Sequence, residues 1–267
     1  MWNIDQIYSW RNNLVDKFKN IKLEIQYNGA NYYGWQKQRN HISVQEVLQK
    51  KLTQLLKENI EVIGCSRTDS KVHALKYVCN FKSKTNIPCE KIKYALNPLL
   101  PDDIVVLDSI EVDEMFHSRY SCVGKTYVYK ILSREVRPVF GREGIYHYKD
   151  YLCVDKMKVA AKYFIGKHDF NAFKSSGSSV KTTIRTIQSI NIIKKQQEIT
   201  IEVTGDGFLY NMVRIIVGTL IQVGINKIEP EYIQTILKNK DRKLAGPTAP
   251  AEGLYLKEIY FSKKDLL

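Results

Sequence analysis

Hydrophobic and polar positions alternate strictly over residues 21–27. Ile21, Leu23, Ile25 and Tyr27 share one face, while Lys22, Glu24 and Gln26 share the other, which is the period of a half-buried strand. Asn28-Gly29 then turns the chain. Ser43-Val44-Gln45-Glu46 has the form of a capping box, and Val44, Val47, Leu48, Leu52 and Leu55 follow at helical spacing, so a helix is predicted to end near Glu58. Residues 60–65 and 75–81 read as strands, 88–99 as a helix opened by Pro88, and 104–112 as a strand.

The second half repeats this order without visible repetition of sequence. Residues 126–132 form a strand; Asp155 caps a helix that reaches Ile165 and stops at Gly166; 184–193 and 198–204 make a hairpin. Helices over 209–223 and 230–239 and a strand over 254–261 complete it. Two β-α-β-β-α-β units predict an α+β protein of two tandem ferredoxin-like, RRM-like subdomains with antiparallel sheets and a cleft between them. Residues 1–20 read as an N-terminal extension, 21–115 as the first subdomain and 116–267 as the second.

Charge narrows the partners. Lys and Arg number 41 against 28 acidic residues, a net +13, which suits a polyanion such as nucleic acid and equally fits a chain biased toward Lys, Ile, Asn and Tyr. The five cysteines (Cys65, Cys79, Cys89, Cys122, Cys153) include no C-x-x-C and no histidine at zinc-finger spacing, so a reduced, cytoplasmic protein without structural zinc is expected. The charged first twenty residues form neither a signal peptide nor a membrane span, and the longest apolar stretch, 215–225, is too short to cross a bilayer.

The most informative stretch is the polar segment over residues 64–74, Gly-Cys-Ser-Arg-Thr-Asp-Ser-Lys-Val-His-Ala, between two strand candidates. Arg67 can hold the Asp69 carboxylate ionised and aimed, as a nucleophile or base, although Arg-x-Asp in a loop also describes a plain salt bridge. Arg214 stands in an apolar helical run, where a charge needs a carboxylate partner. His168-Asp169 lacks a third ligand at regular spacing and reads as a helix-to-loop element; Asp102-Asp103 after Pro101 reads as a turn. Residues 175–179, Ser-Ser-Gly-Ser-Ser between Lys174 and Lys181, suit either RNA backbone contact or a solvated linker. No phosphate-cradling Gly-x-x-x-x-Gly-Lys is present.

The 64–74 segment resembles the G-R-T-D-x-G-V-H-A motif of the tRNA pseudouridine synthase A family, matching at Arg67, Thr68, Asp69, Val72, His73 and Ala74. Ser66 and Lys71 stand where that family usually has glycine, and each carries a conformational cost if the position has positive φ. Five more blocks follow in the family's order: residues 27–36 (Tyr-Asn-Gly-Ala-Asn-Tyr-Tyr-Gly-Trp-Gln, with Asn28 for the usual Asp), 116–119 with 125–129, 167–170, 207–214 and 249–256.

The resemblance implies an isomerase that converts uridine to pseudouridine at positions 38, 39 and 40 of the tRNA anticodon stem-loop, without cofactor or metal, as a homodimer. No membrane and no further protein partner is implied. It makes Asp69 the essential carboxylate and nucleophile of the set, with Arg67 filling the space of the flipped base and pairing with Asp69. Tyr127 packs against that base and assists the last proton transfer. His73, Lys125, Phe208, Arg214 and Leu254 join Tyr127 in substrate binding, with His73 touching RNA or supporting the loop. Attack on the sugar, addition to the base and removal of a sugar proton are all compatible with the residues. Taken alone, Trp35 reads as core, and Tyr129 as a sheet aromatic.

Overall fold

The alternating segment becomes strand β1 (Lys19–Tyr27), with Ile21, Leu23, Ile25 and Tyr27 all buried. In the computed structural model, which describes residues 18–177 and 180–266, the Ser43 hydroxyl accepts from the Glu46 N–H at 3.3 Å and starts α1 (Val44–Leu56). β2 (Ile63–Gly64), β3 (His73–Ser83), α2 (Ile92–Leu96) and β4 (Ile104–Val112) complete the first half. The second comprises β5 (Gly124–Ser133), β6 (Tyr146–Tyr148), α3 (Val154–Lys162), β7 (Gly166–Asp169), β8 (Ile184–Lys195), β9 (Glu198–Gly205), α4 (Met212–Gly224), α5 (Tyr232–Asn239), β10 (Leu254–Tyr260) and α6 (Lys263–Leu266). Residues 1–17 of the expected N-terminal extension, and Ser178 and Ser179 of the serine-rich loop, lie outside the described residues.

Several boundaries differ from expectation for local reasons. The strand expected over 60–65 shrinks to β2, since Ile60 and Val62 turn into the core and only Ile63 and Gly64 pair with β3. The helix expected over 88–99 breaks into 3-10 turns around the five-residue α2. There the Asn97 side chain exchanges two hydrogen bonds with the Val106 backbone, at 2.8 and 3.0 Å, and Pro98 follows. Asp155 lies inside α3, whose N-cap position is Cys153 without a side-chain bond. Gly166, at φ 106°, opens β7, so His168 and Asp169 belong to an edge strand instead of a helix-to-loop element.

The strands join one sheet in the order β4-β1-β3-β10-β5-β9-β8-β7, with β2 added to β3 and β6 to β5. The expected pair of separate sheets is thus a single mixed sheet. Within the first half β4, β1 and β3 are antiparallel; within the second, β10, β5, β9, β8 and β7 are antiparallel. The seam is a parallel contact of two residue pairs, Tyr255 with His73 and Leu256 with Ala74. One apolar core runs beneath both halves, including Leu48 and Leu52 of α1, Tyr129 of β5 and Ile216 of α4. Among the described residues no helix is long and apolar enough to cross a membrane.

The segment between β4 and β5 is tied to the sheet by a buried polar network. Ser118 donates from its backbone N and hydroxyl to Asn80 Oδ1 at 2.9 and 2.7 Å, and Asn80 Nδ2 donates to Asn20 Oδ1 at 2.9 Å. Asn20 Nδ2 in turn donates to the carbonyls of Asp113 and Phe116 at 2.8 and 2.9 Å. Asn80→Ala strands three buried polar atoms and is expected to cost about 3 kcal/mol, read from the urea midpoint; a loss below about 1 kcal/mol contradicts the network's role. A second backbone feature separates the two family-glycine positions. Lys71 has φ 65°, whereas Ser66 is not among the positive-φ residues, so only Lys71 carries the left-handed cost. Lys71→Gly is expected to stabilise the protein by about 0.5–1 kcal/mol and Lys71→Ala to leave it near parental; equal midpoints for all three proteins contradict this.

Candidate active site

The loop over residues 65–72 is wedged against the turn that follows β1. Gly34, at φ 87°, lies so close that a Cβ there would sit 2.4 Å from the Thr68 carbonyl, and a Cβ on Gly29 would sit 2.0 Å from the Val72 carbonyl. Glycine at these two positions therefore lets the loop approach. Polar ties then fix it. Thr68 Oγ1 meets Tyr27 Oη at 2.8 Å, Trp35 N donates to the Thr68 carbonyl at 3.2 Å, and Lys71 N donates to the Tyr32 carbonyl at 3.1 Å. The Tyr77 hydroxyl donates to the Ser66 carbonyl and accepts from Ser66 N at 3.3 Å. Trp35 stacks on Tyr77 at 4.0 Å and is buried, as a core residue.

With Thr68 anchored inward, Asp69 faces a cleft of about 1540 Å³ lined by both halves of the chain. Its carboxylate is met by Arg214, from the first turn of α4, with Nη1 3.4 Å from Oδ2. The guanidinium is held from behind. Nε donates to the Ala249 carbonyl at 2.7 Å and Nη1 to Asn211 Oδ1 at 2.8 Å, while Asn211 takes a left-handed conformation at φ 60° to precede the helix. The segment after α5 reaches this position because Gly218 lets the Pro247 backbone lie on α4, where a Cβ would sit 1.7 Å from its carbonyl oxygen.

Burial raises the Asp69 pKa above the ordinary carboxylate value, and the charge and hydrogen bond of Arg214 only partly offset it. The side chains of Asp69 and Arg214 retain 24% and 17% exposure, so the pair is open to a substrate without being solvated like a surface salt bridge. Tyr127 on β5 is buried and meets Phe208 edge to face at 5.2 Å; burial pushes its phenol up, keeping it protonated. Lys125 Nζ donates to Ser66 Oγ at 3.4 Å, so the serine standing at a family-glycine position contacts cleft machinery. The buried Cys65 thiol is pushed up to about 12, chiefly by burial, and stays neutral.

Of the expected site residues, Arg67, Asp69, Lys125, Tyr127, Phe208, Arg214 and Leu254 line this one cleft. Arg67 does so without the expected pairing: it is exposed and has no hydrogen bond or ion pair among the described residues, since Arg214 occupies the carboxylate. His73 lies elsewhere. It is buried at the seam, its Nδ1 accepting from Gly29 N at 3.1 Å and its ring stacked on Tyr255 at 4.6 Å, and burial lowers its pKa so that it stays neutral. Its place is therefore loop support beside a different cavity. Tyr129 is a core residue whose hydroxyl donates to the Pro250 carbonyl at 2.7 Å. Asp103 does more than turn the chain, accepting from the Tyr32 hydroxyl and from Asn31 Nδ2. Sequence reasoning missed the supports, Asn211, Ala249 and Tyr77. Asn before an apolar helical run was a legible sign of a special cap; a backbone carbonyl 35 residues away was not. Among the described residues, no three His, Cys, Asp or Glu side chains gather to hold a metal.

Comparison with known proteins agrees with this geometry. The family described as tRNA pseudouridine synthase matches residues 24–121 and 160–262. A tRNA pseudouridine synthase A 2 from Clostridium tetani is 54% identical over 246 residues, covering 91% of this chain and 99% of that protein. The tRNA pseudouridine synthase A of Clostridium acetobutylicum is 52% identical and that of Acetivibrio thermocellus 49%, each over 243 residues, 91% of this chain and 100% of theirs. The matched segments contain both members of the Asp69–Arg214 pair, and the chain belongs to the tRNA pseudouridine synthase family.

Proposed function

We propose that this chain isomerises uridine to pseudouridine in the anticodon stem-loop of tRNA, at positions 38, 39 and 40, with Asp69 as the essential carboxylate. The observation that carries this reading is a partly buried carboxylate facing a large cleft, paired with an arginine from the other half of the chain and flanked by Tyr127. Pseudouridine formation breaks the bond from N1 of uracil to C1′ of ribose, rotates the base and joins C5 to C1′. The proton leaves C5, N1 gains one, and nothing is oxidised or consumed. The base must leave its stack to reach Asp69. Arg67, exposed and unpaired among the described residues, is the cation placed to fill the vacated space, and Tyr127 offers a neutral phenol against the base.

Each half is read as a ferredoxin-like unit, divided near Met115. The strand orders β4-β1-β3-β2 and β10-β5-β9-β8 support this, each having the last strand beside the first and the third beside the second. A homodimer and a cytoplasmic setting complete the proposal; the exposed side chains of Val136, Val139 and Phe140 supply apolar surface of the kind that interfaces cover.

Asp69→Asn is expected to lower pseudouridine formation in unmodified tRNA by about a thousand-fold or more, with tRNA affinity within about threefold of the parent. Turnover by this variant at a tenth of the parental rate removes Asp69 from the chemistry. The pH dependence follows from the direction of the Asp69 shift. A raised pKa means that the carboxylate, and the activity needing it, is lost as pH falls at a point above the ordinary carboxylate value of about 4. Arg214→Met removes the charge that lowers this pKa, so the acid limb of single-turnover rate is expected to move to higher pH; a limb unmoved, or moved down, contradicts the pairing.

A further inference from the structure

Two pairs of adjacent rings, one stacked and one tilted, stand on the lining of the same cleft, neither of them part of the Asp69 machinery. Tyr33 and His41 stack at 4.1 Å with 22° between ring planes, and His117 and Tyr120 lie 4.2 Å apart at 31°. All four residues line the cleft, yet Tyr33 is 51% exposed and Tyr120 79% exposed. What sets these rings apart from other exposed side chains is that they gather on the lining of one cleft, where a ligand entering it meets their faces.

Both pairs are built to stay where they are. Tyr33 N donates to the Ile42 carbonyl at 3.0 Å, Gln38 Nε2 donates to the Tyr33 carbonyl at 2.9 Å, and Gln38 pairs with His41 across the loop. Lys37 N donates to Gln45 Oε1 at 2.9 Å, fixing that loop to the first turn of α1. On the other segment, His117 Nδ1 accepts from the backbone N–H groups of Arg119 and Tyr120 at 3.2 and 3.3 Å, which locks the imidazole orientation beside the tyrosine. Beneath it, Ser118 is anchored by the buried network through Asn80 and Asn20. Each segment also carries an exposed arginine, Arg39 and Arg119, with no ion pair among the described residues.

An aromatic face beside an unpaired cation is the combination that takes a single-stranded nucleotide, with the base on the ring and the phosphate on the guanidinium. Paired bases in a stem are already stacked on one another and cannot use such a face. We propose that the Tyr33–His41 and His117–Tyr120 pairs are two base-stacking platforms that hold unstacked nucleotides flanking the target uridine, with Arg39 and Arg119 on the adjoining phosphates. This rests on the reading of the cleft as the tRNA site.

The test uses the full chain and an unmodified tRNA transcript, with filter binding across a salt series and single-turnover conversion measured in parallel. Tyr33→Ala and Tyr120→Ala are each expected to weaken binding about 5- to 100-fold, the range for loss of one base stack. Because no phosphate contact is lost, the slope of log affinity against log salt stays parental. Tyr33→Phe and Tyr120→Phe keep the ring and are expected to bind as the parent does. Arg119→Ala, by contrast, is expected to flatten the slope by about one contact's worth. Alanine variants that bind tRNA like the parent overturn the platforms and leave the rings for a protein partner; phenylalanine variants as weak as alanine overturn stacking as the cause. The two tyrosines lie on separate segments, so a folding defect in one variant leaves the other to decide. A parent that neither binds nor converts tRNA defeats the cleft reading itself, a result distinct from parental conversion with unaffected alanine variants.

Discussion

A carboxylate and a guanidinium from opposite halves of the chain meet 3.4 Å apart in a cleft that shields them partly from water, and much of the surrounding structure serves to hold them there. Such a pair is expensive, because desolvation of each charge competes with their attraction. Here burial outweighs the arginine at Asp69, and its pKa is raised. A carboxylate in that state is poorly solvated, and its charge leans on the arginine beside it. Arg214 is less costly to keep, since the Ala249 carbonyl and Asn211 satisfy two of its donor groups.

The fold supplies this meeting through a short seam. Only two residue pairs join β3 to β10, yet they align the end of the Asp69 loop with the strand beginning at Leu254, which itself lines the cleft. His73 and Tyr255 stack across the seam, and the Gly29 N–H donated to His73 ties it to the turn after β1. Of the two roles expected for His73, RNA contact and loop support, its position here gives it the second. The loop beyond it is over-determined by glycine contacts and hydrogen bonds, which is how a lysine at φ 65° is tolerated two residues from Asp69.

The cleft also sorts its groups by role. Asp69, Tyr127 and Phe208 sit deep, where burial keeps the phenol protonated and the carboxylate underhydrated. Arg67, Arg119, Tyr33, His41 and Tyr120 lie outward, exposed. Under the proposed function, binding and chemistry fall at different depths of one cavity, as suits a substrate whose backbone stays in solvent while one base enters.

The sequence by itself determined several elements of each half and marked the loop that carries Asp69. Alternation in β1, the Ser43 capping box, and the hairpin of β8 and β9 are short-range signals, read from residues a few positions apart, and each formed where its period placed it. It also marked Arg214 as a charge in need of a partner, and the 64–74 motif as the place to look for chemistry. Tertiary structure alone decided the rest. It joined two expected sheets into one, broke the helix at 88–99 where Asn97 found Val106, sent His73 inward, and gave Asp69 to Arg214 instead of Arg67. Asp69 and Arg214 lie 145 residues apart, and no local propensity couples them. Their contact is settled by which strand edges pair and by where glycine lets backbones approach, and those are properties of packing that emerge only when the whole core closes.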